Sequence, residues 1–408
     1  MDNKYIGRQP IIDGKAKIVA YDLLYREGTH NDDNGFTAAV ISTLLLSSDK
    51  ILGKHLGFIR VGAEFLQYDV VDLLSHDKVV YSLLPSAVID DKLVERVQVL
   101  REQGYCFALN DVIYTAESAG HYALILPYVS YIKIDISQSD LTLISHTISM
   151  FHEVGIKVIG SKIETHDLYE LCQSMGLDYF QGYFISTPNI IENASFSPEQ
   201  IGIITLWNLL QRDTEIRELV DAFQQNHAVS LKLLRFINSA AFSLRNPVSS
   251  IEQVLTLMGR DPISRWIMLL MFSETHNGVE KRVPLLLMVV YRTEMMSALI
   301  KLLKPNVTHL ELSTAYFVGM LSLIHLLFHM PQKAVLEKLN ITVEIKNAVV
   351  DGVGFYGELL DLTRSIECFD TELMESYLHK KGLKYAIIEP IISQVMEKVN
   401  TFEKAMEE

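Results

Sequence analysis

The stretch YIGRQPIIDGKAKIVAYDLLYR, Tyr5–Arg26, decides how the first half of the chain is read. An extended run, Tyr5–Ile12, reaches a turn at Asp13-Gly14. A second run, Ile18–Leu24, carries Asp22 near its end, with Arg26 just beyond it. Enrichment in Tyr, Ile and Val around an Asp-Gly turn predicts two strands. Further strand-like runs follow at Phe58–Val61, Val79–Leu83, Cys106–Asn110, Tyr131–Ile134, Lys157–Gly160 and Tyr179–Phe184. Helical stretches such as Asp91–Gln103 and His166–Met175 lie between them. Strands alternating with helices of this length predict parallel βαβ units, and this many units predict a β/α barrel. Chemistry in such a barrel sits at the C-terminal ends of the strands.

The pattern changes at Ser186–Pro198, STPNIIENASFSP, a stretch rich in Ser, Asn and Pro with no periodicity. Its apolar Ile190, Ile191 and Phe196 predict a packed segment rather than a free tether. Beyond it, Leu206–Leu210, Ile216–Phe223 and Ser230–Ile237 show apolar spacing of three and four, so the second half is predicted helical. Helix starts are marked at Ser197-Pro198-Glu199, Asp213 and Ser249.

The 408 residues make two domains the natural expectation. A formal net charge of −14 argues against a nucleic-acid duplex as partner, because neutralising phosphates requires clustered Lys and Arg. Cys106, Cys172 and Cys368 lie far apart, so neither a zinc site nor a disulfide framework is expected. The N-terminal residues lack a signal-peptide layout. The most apolar run, Ala315–Phe328, is shorter than the ~18 residues of a bilayer span. A cytoplasmic protein without membrane attachment is the expectation.

The residues RQPI followed by YDLLYR resemble the opening of the EAL domain, the barrel that hydrolyses the bacterial second messenger cyclic-di-GMP. In the second half, His227–Gly259 resembles the HDOD domain, on the features L-L-R-x-x-N-S-A-x-F and N-P-V-x-S-I. HDOD is an all-helical signalling relative of metal-dependent His-Asp phosphohydrolases that lacks their metal ligands. The two resemblances imply an α/β plus all-α fold class. An N-terminal β/α (TIM-like) EAL barrel over 1–190 is followed by an all-helical HDOD domain over 191–408.

Active EAL domains hold two divalent ions with carboxylates and an asparagine, and the ions activate a water for in-line attack. By resemblance, Asp22 stands where that family has a metal-binding glutamate, one methylene shorter. Arg60, in Phe58-Ile59-Arg60, replaces the asparagine and brings a cation with no lone pair to offer. Ser82 replaces a second metal-binding glutamate, Asn110 a bridging aspartate, and Ser161 the glutamate that works with the catalytic water. Asp111, Lys133, Glu164 and Gln181 match their family positions, as does Arg26. The expectation is therefore that the catalytic positions are degenerate, that no metal or other cofactor is held, and that Arg60 ties Asp22 to Asp111 in the metal space. Arg26, Asp111, Lys133, Glu164 and Gln181 are candidates for nucleotide binding.

On this reading the chain is not an enzyme. It is a non-catalytic signalling regulator or scaffold whose HDOD domain docks signalling protein partners in control of motility or biofilm, with a homodimer left open. Two alternatives stand beside it: a cyclic-di-GMP receptor that does not hydrolyse its ligand, and a weak metal-dependent phosphodiesterase.

Other motifs have plainer readings. Gly352–Gly357 is a formal G-x-G-x-x-G, but it follows the helix-like Thr342–Val350 rather than a strand and reads as a loop between helices. His76-Asp77 and His166-Asp167 read as surface or capping pairs. Met320-Leu321-Ser322-Leu323 stands, by resemblance, where a phosphohydrolase has its ligand pair. His325 and His329, one helical turn apart, read as packing residues.

Overall fold

The computed structural model describes residues 4–27, 48–118, 120–185, 196–212, 214–238, 247–273, 283–328 and 330–407. Eight strands close a barrel in chain order: β1 (Lys4–Asp13), β2 (Ile18–Glu27), β3 (Leu56–Val61), β4 (Val79–Leu83), β5 (Cys106–Val112), β6 (Tyr131–Asp135), β7 (Lys157–Ser161) and β8 (Tyr179–Phe180). β1 and β2 form an antiparallel hairpin, and Asp13 Oδ1 steadies its turn by accepting the backbone N–H groups of Lys15 and Lys17 at 2.9 and 2.8 Å. From β2 to β8 neighbours run parallel, and β8 closes antiparallel on β1. Between strands run α1 (Asp91–Glu102), α2 (Leu141–Glu153) and α3 (His166–Ser174). Each begins at a side-chain cap, Asp90, Asp140 and Thr165 respectively, that accepts an otherwise unpaired N–H of the first turn.

The last strand is shorter than its sequence predicts, ending at Phe180 rather than Phe184. A Cβ on Gly182 would stand 1.9 Å from the Ile163 carbonyl oxygen. The chain passes that point only as glycine and then turns into a short 3-10 segment, Tyr183–Ile185.

The barrel interior explains where polar chemistry can appear. Ile11, Ala20, Phe58, Val80, Ala108 and Ile159 form one buried apolar layer, with Tyr131 and Tyr179 packed against it. Side chains along a strand return to the same face every second residue. Two positions further toward the barrel mouth, the same inward rows carry Gln9, Asp22, Arg60, Ser82, Asn110, Lys133, Ser161 and Gln181. An apolar floor thus lies directly beneath a polar layer.

Residues 1–187 and 362–408 form one compact unit, and residues 188–361 the other. The final segment, expected to go with the helical half at 191–408, clusters with the barrel. The second unit is helical: α4 (Pro198–Gln211), α5 (Ile216–Gln225), α6 (His227–Ile237), α7 (Ile251–Met258), α8 (Arg260–Ser273), α9 (Val283–Leu303), α10 (His309–Leu321), α11 (Ile324–Phe328), α12 (Gln332–Leu336), α13 (Val343–Val350) and the start of α14 (Gly354–Glu367). Ser197 and Gln200 make a reciprocal capping box at the expected start of α4. The next two markers fare differently. Asp213 lies outside the described residues, and the cap of α7 is Ser250, one residue after Ser249. Of the seam, residues 186–195 lie outside the described residues, while Phe196 packs edge-on against Phe328.

The G-x-G-x-x-G is a tight helix-to-helix corner. Gly352 and Gly354 take positive φ, α14 starts at Gly354, and a Cβ on Gly357 would meet the Gly352 carbonyl carbon at 2.3 Å. Among the described residues one helix, α9, is long and apolar enough to cross a membrane, and 67% of its apolar window is buried inside the fold. It is not the run Ala315–Phe328 that stands out in the sequence.

Two more helices, α15 (Thr371–Lys380) and α16 (Glu389–Glu407), complete the barrel unit. α16 is fastened by His55, whose Nε2 lies 2.9 Å from both carboxylate oxygens of Glu403 in a buried pair. Arg8 donates to Asn400 Oδ1 at 2.8 Å and to the Ile51 carbonyl, and its guanidinium lies over the Tyr21 ring. The Tyr183 hydroxyl donates to the Cys368 carbonyl at 3.1 Å.

Candidate functional site

Asp22 anchors the polar layer. Its side chain is 0% exposed, and its Oδ2 accepts from three donors: Lys133 Nζ at 2.6 Å, Arg60 Nη2 at 3.0 Å and Gln181 Nε2 at 3.1 Å. Burial alone would raise this carboxyl. The Lys133 ammonium and the Arg60 guanidinium, with the hydrogen bonds from Lys133 and Gln181, overcome it and hold the group well below the usual carboxylate range. In return, Asp22 raises the Arg60 guanidinium against burial, with Asp111 helping.

Asp111 completes the arrangement. The strand register shifts between Leu109 and Val112, and Asp111 sits inside that irregularity at φ 42°, in the left-handed region. Such a bulge re-aims a side chain, and a non-glycine residue held there costs about 1–3 kcal/mol. The strain delivers its carboxylate to the layer. Oδ1 accepts from Ser161 Oγ at 2.8 Å and lies 3.5 Å from Lys133 Nζ; Oδ2 accepts from Asn110 Nδ2 at 3.2 Å and lies 3.7 Å from Arg60 Nη2. Ser82 Oγ donates to Asn110 Oδ1 at 3.3 Å. Two carboxylates therefore face two cations, all held by strand ends.

The structure thus brings together Asp22, Arg60, Ser82, Asn110, Asp111, Lys133, Ser161 and Gln181. Of the other two candidates, Arg26 lies on β2, paired with Tyr5, but its side chain is outside the described residues. Glu164 is exposed, and its charge acts on Tyr183. Two features escape a reading of the sequence. The family match makes Lys133 a nucleotide-binding candidate, yet it is the closer of the two cations on Asp22. Gln9, opposite Asp22 in the hairpin register, takes the second Gln181 hydrogen bond at 2.7 Å. The inward period of β1 is the signal that could have found it.

The two divalent ions implied by the resemblance do not fit this donor set. Asp22 Oδ2 already carries two cationic donors, and Arg60 Nη2 lies between the remaining carboxylates. Among the described residues no group of three or more His, Cys, Asp or Glu could hold a metal ion.

In the helical unit Asp261 accepts from Ser313 Oγ at 2.6 Å and from Arg265 Nη2 at 3.0 Å. Ser322, at the position of the phosphohydrolase ligand pair, is buried, donates to the Gly319 carbonyl at 2.6 Å and accepts from Arg292 Nη1 at 2.8 Å. His329 lies outside the described residues. His76 contacts Asp77 at 3.0 Å on the surface, and His166 contacts Glu170 one turn along α3.

Two family models match this layout. The family model of the EAL domain matches residues 68–188, and that of the HDOD domain matches residues 203–340. The chain joins an EAL domain to an HDOD domain. Cyclic di-GMP phosphodiesterase CdgJ of Vibrio cholerae serotype O1 is 27% identical over 395 residues, covering 94% of this chain and 89% of its own length. The Bacillus subtilis protein YuxH is 25% identical over 374 residues, covering 89% of this chain and 90% of its own. Among solved structures, a manganese and cy-diGMP complex of Klebsiella pneumoniae BlrP1 aligns with 45% of this chain and 58% of that one, at 20% identity and a TM-score of 0.37.

The expectation that this EAL–HDOD chain is not an enzyme is overturned by the first of these relatives, which matches nearly its whole length and is named a phosphodiesterase. The replaced side chains speak to which ions the layer can hold. They do not by themselves establish a loss of turnover.

Proposed function

We propose that this EAL–HDOD protein works in cyclic-di-GMP-linked signalling, with the dinucleotide received at the barrel mouth and the HDOD half docking a signalling protein. Control of motility or biofilm is the setting this reading implies. The observation that carries it is the internal neutralisation of the mouth. Lys133 and Arg60 balance Asp22 and Asp111, so a phosphodiester meets no net negative charge, and the guanidinium, 28% exposed, places a cation at the entrance. Asp22 Oδ1 and Gln181 Oε1 are buried acceptors that make no hydrogen bond among the described residues. Buried polar atoms of this kind ordinarily have partners, and base N–H or ribose hydroxyl groups are donors of the matching type.

Thermal melts with nucleotides test the reading. Cyclic-di-GMP should raise the melting temperature, GTP and cyclic-di-AMP should not, and Gln181→Ala should reduce the effect. No shift with cyclic-di-GMP, or an equal shift with all three, would refute it. A second reading, hydrolysis of the same dinucleotide, is favoured by the name of the Vibrio cholerae relative. Chromatography of the linear product over time separates turnover from binding alone.

A further inference from the structure

We infer that Arg60 is a built-in counter-cation standing in for a divalent ion, and that replacing it with an oxygen donor opens a metal site between Asp22 and Asp111. Arg60 Nη2 lies 3.0 Å from Asp22 Oδ2 and 3.7 Å from Asp111 Oδ2, so one nitrogen is shared by both carboxylates. That is the place a hard cation would take if both were its ligands, since Mg²⁺ and similar ions select carboxylate and carbonyl oxygens. Guanidinium supplies the charge but has no lone pair and cannot be deprotonated, so it excludes an ion rather than binding one.

The surroundings are already suited to an ion once the cation leaves. Asp22 Oδ1 and Gln181 Oε1 are buried oxygen acceptors without a partner among the described residues, one from a carboxylate and one from an amide, while Asn110 Oδ1 already accepts from Ser82 Oγ at 3.3 Å. Lys133 remains 2.6 Å from Asp22 Oδ2, the same oxygen that Arg60 contacts, so its ammonium limits the site to a single ion that shares the carboxylate with it. Arg60→Asn both removes the cation and offers a carbonyl oxygen from the same inward row. Arg60→Lys keeps the charge and offers none.

Manganese is the probe, read by the loss of its free-ion paramagnetic resonance signal in titrations of the full chain. Wild type and Arg60→Lys should take up no manganese that depends on Asp111. Arg60→Asn should take up about one equivalent, lose it again on further Asp111→Asn substitution, and melt at a higher temperature with manganese than without. Asp111-dependent uptake by wild type would overturn the inference, as would a cooperatively folded Arg60→Asn protein with no gain. Should Arg60→Asn not fold, comparing wild type with Asp111→Asn alone still decides whether the unmodified mouth excludes the ion. No nucleotide enters these measurements, so their outcome is separate from that of the dinucleotide reading.

Discussion

Replacing Lys133 with methionine keeps most of the side-chain volume while removing the ammonium that lies 2.6 Å from Asp22 and 3.5 Å from Asp111. Lys133 is 1% exposed and Asp22 0%, so the carboxylate cannot recover its hydration by a small rotation. Breaking a buried pair from one side costs about 3–5 kcal/mol. Arg60 stays 3.0 Å from the same oxygen and holds the loss near the lower end, about 3 kcal/mol. For a domain of this size class each kcal/mol moves the midpoint by about 2–4 °C, giving a fall of about 6–12 °C at pH 7. The Asp22 carboxyl lies below its ordinary value in the native state, so its stabilisation is complete above about pH 3.9 and is lost as pH falls through the lower native value. Without Lys133, burial pushes the same carboxyl upward, and it takes up a proton at a higher pH. The gap between wild type and Lys133→Met should therefore narrow from pH 7 to pH 4. Asp22→Asn/Lys133→Met should melt above Lys133→Met alone. Calorimetric scans across that range check all three outcomes. A fall under about 2 °C, the scale of an exposed substitution, would refute the buried-pair reasoning.

Glu403→Gln should loosen α16 from the barrel, read as faster amide exchange across 389–407 with little change in α1 to α3. Burial raises the Glu403 carboxyl, but His55 and Lys54 bring it below its ordinary value. Its contribution is therefore present above about pH 4.3 and fades below it, so wild-type α16 should show the same loosening in acid. Gly182→Ala should prevent the barrel from closing in its native register, because the added carbon meets the Ile163 carbonyl at 1.9 Å; native-like near-ultraviolet dichroism in that variant would contradict the contact.

Most of the barrel is legible in the sequence because its signals are local. Val79–Leu83 is buried at every position, as expected of a parallel strand covered on both faces, and its bounds match those read from the residues alone. The Arg60–Asp22 contact is legible through the family resemblance, which sets both residues at ligand positions of one metal site. Lys133 is harder to place, as its charge alone does not say whether it meets a phosphate or a carboxylate. The return of residues 362–408 to the barrel is not legible at all. Helical periodicity identifies the apolar face of α16 but not its cover, and Glu403 meets a histidine 348 residues away in sequence. The loss of ligands at Ser82, Asn110 and Ser161 points from the sequence to loss of an enzyme, a step from the composition of a site to its activity that the Vibrio cholerae relative contradicts.

On the proposed function, in-chain cations let the mouth receive a cyclic dinucleotide without a divalent ion. Calorimetric titration of the full chain with cyclic-di-GMP, once in excess EDTA and once in manganese, tests it most directly. Saturable binding of equal affinity under both conditions, weakened by Arg60→Ala, is the expected result. Binding that appears only with manganese, or in neither condition, would contradict it.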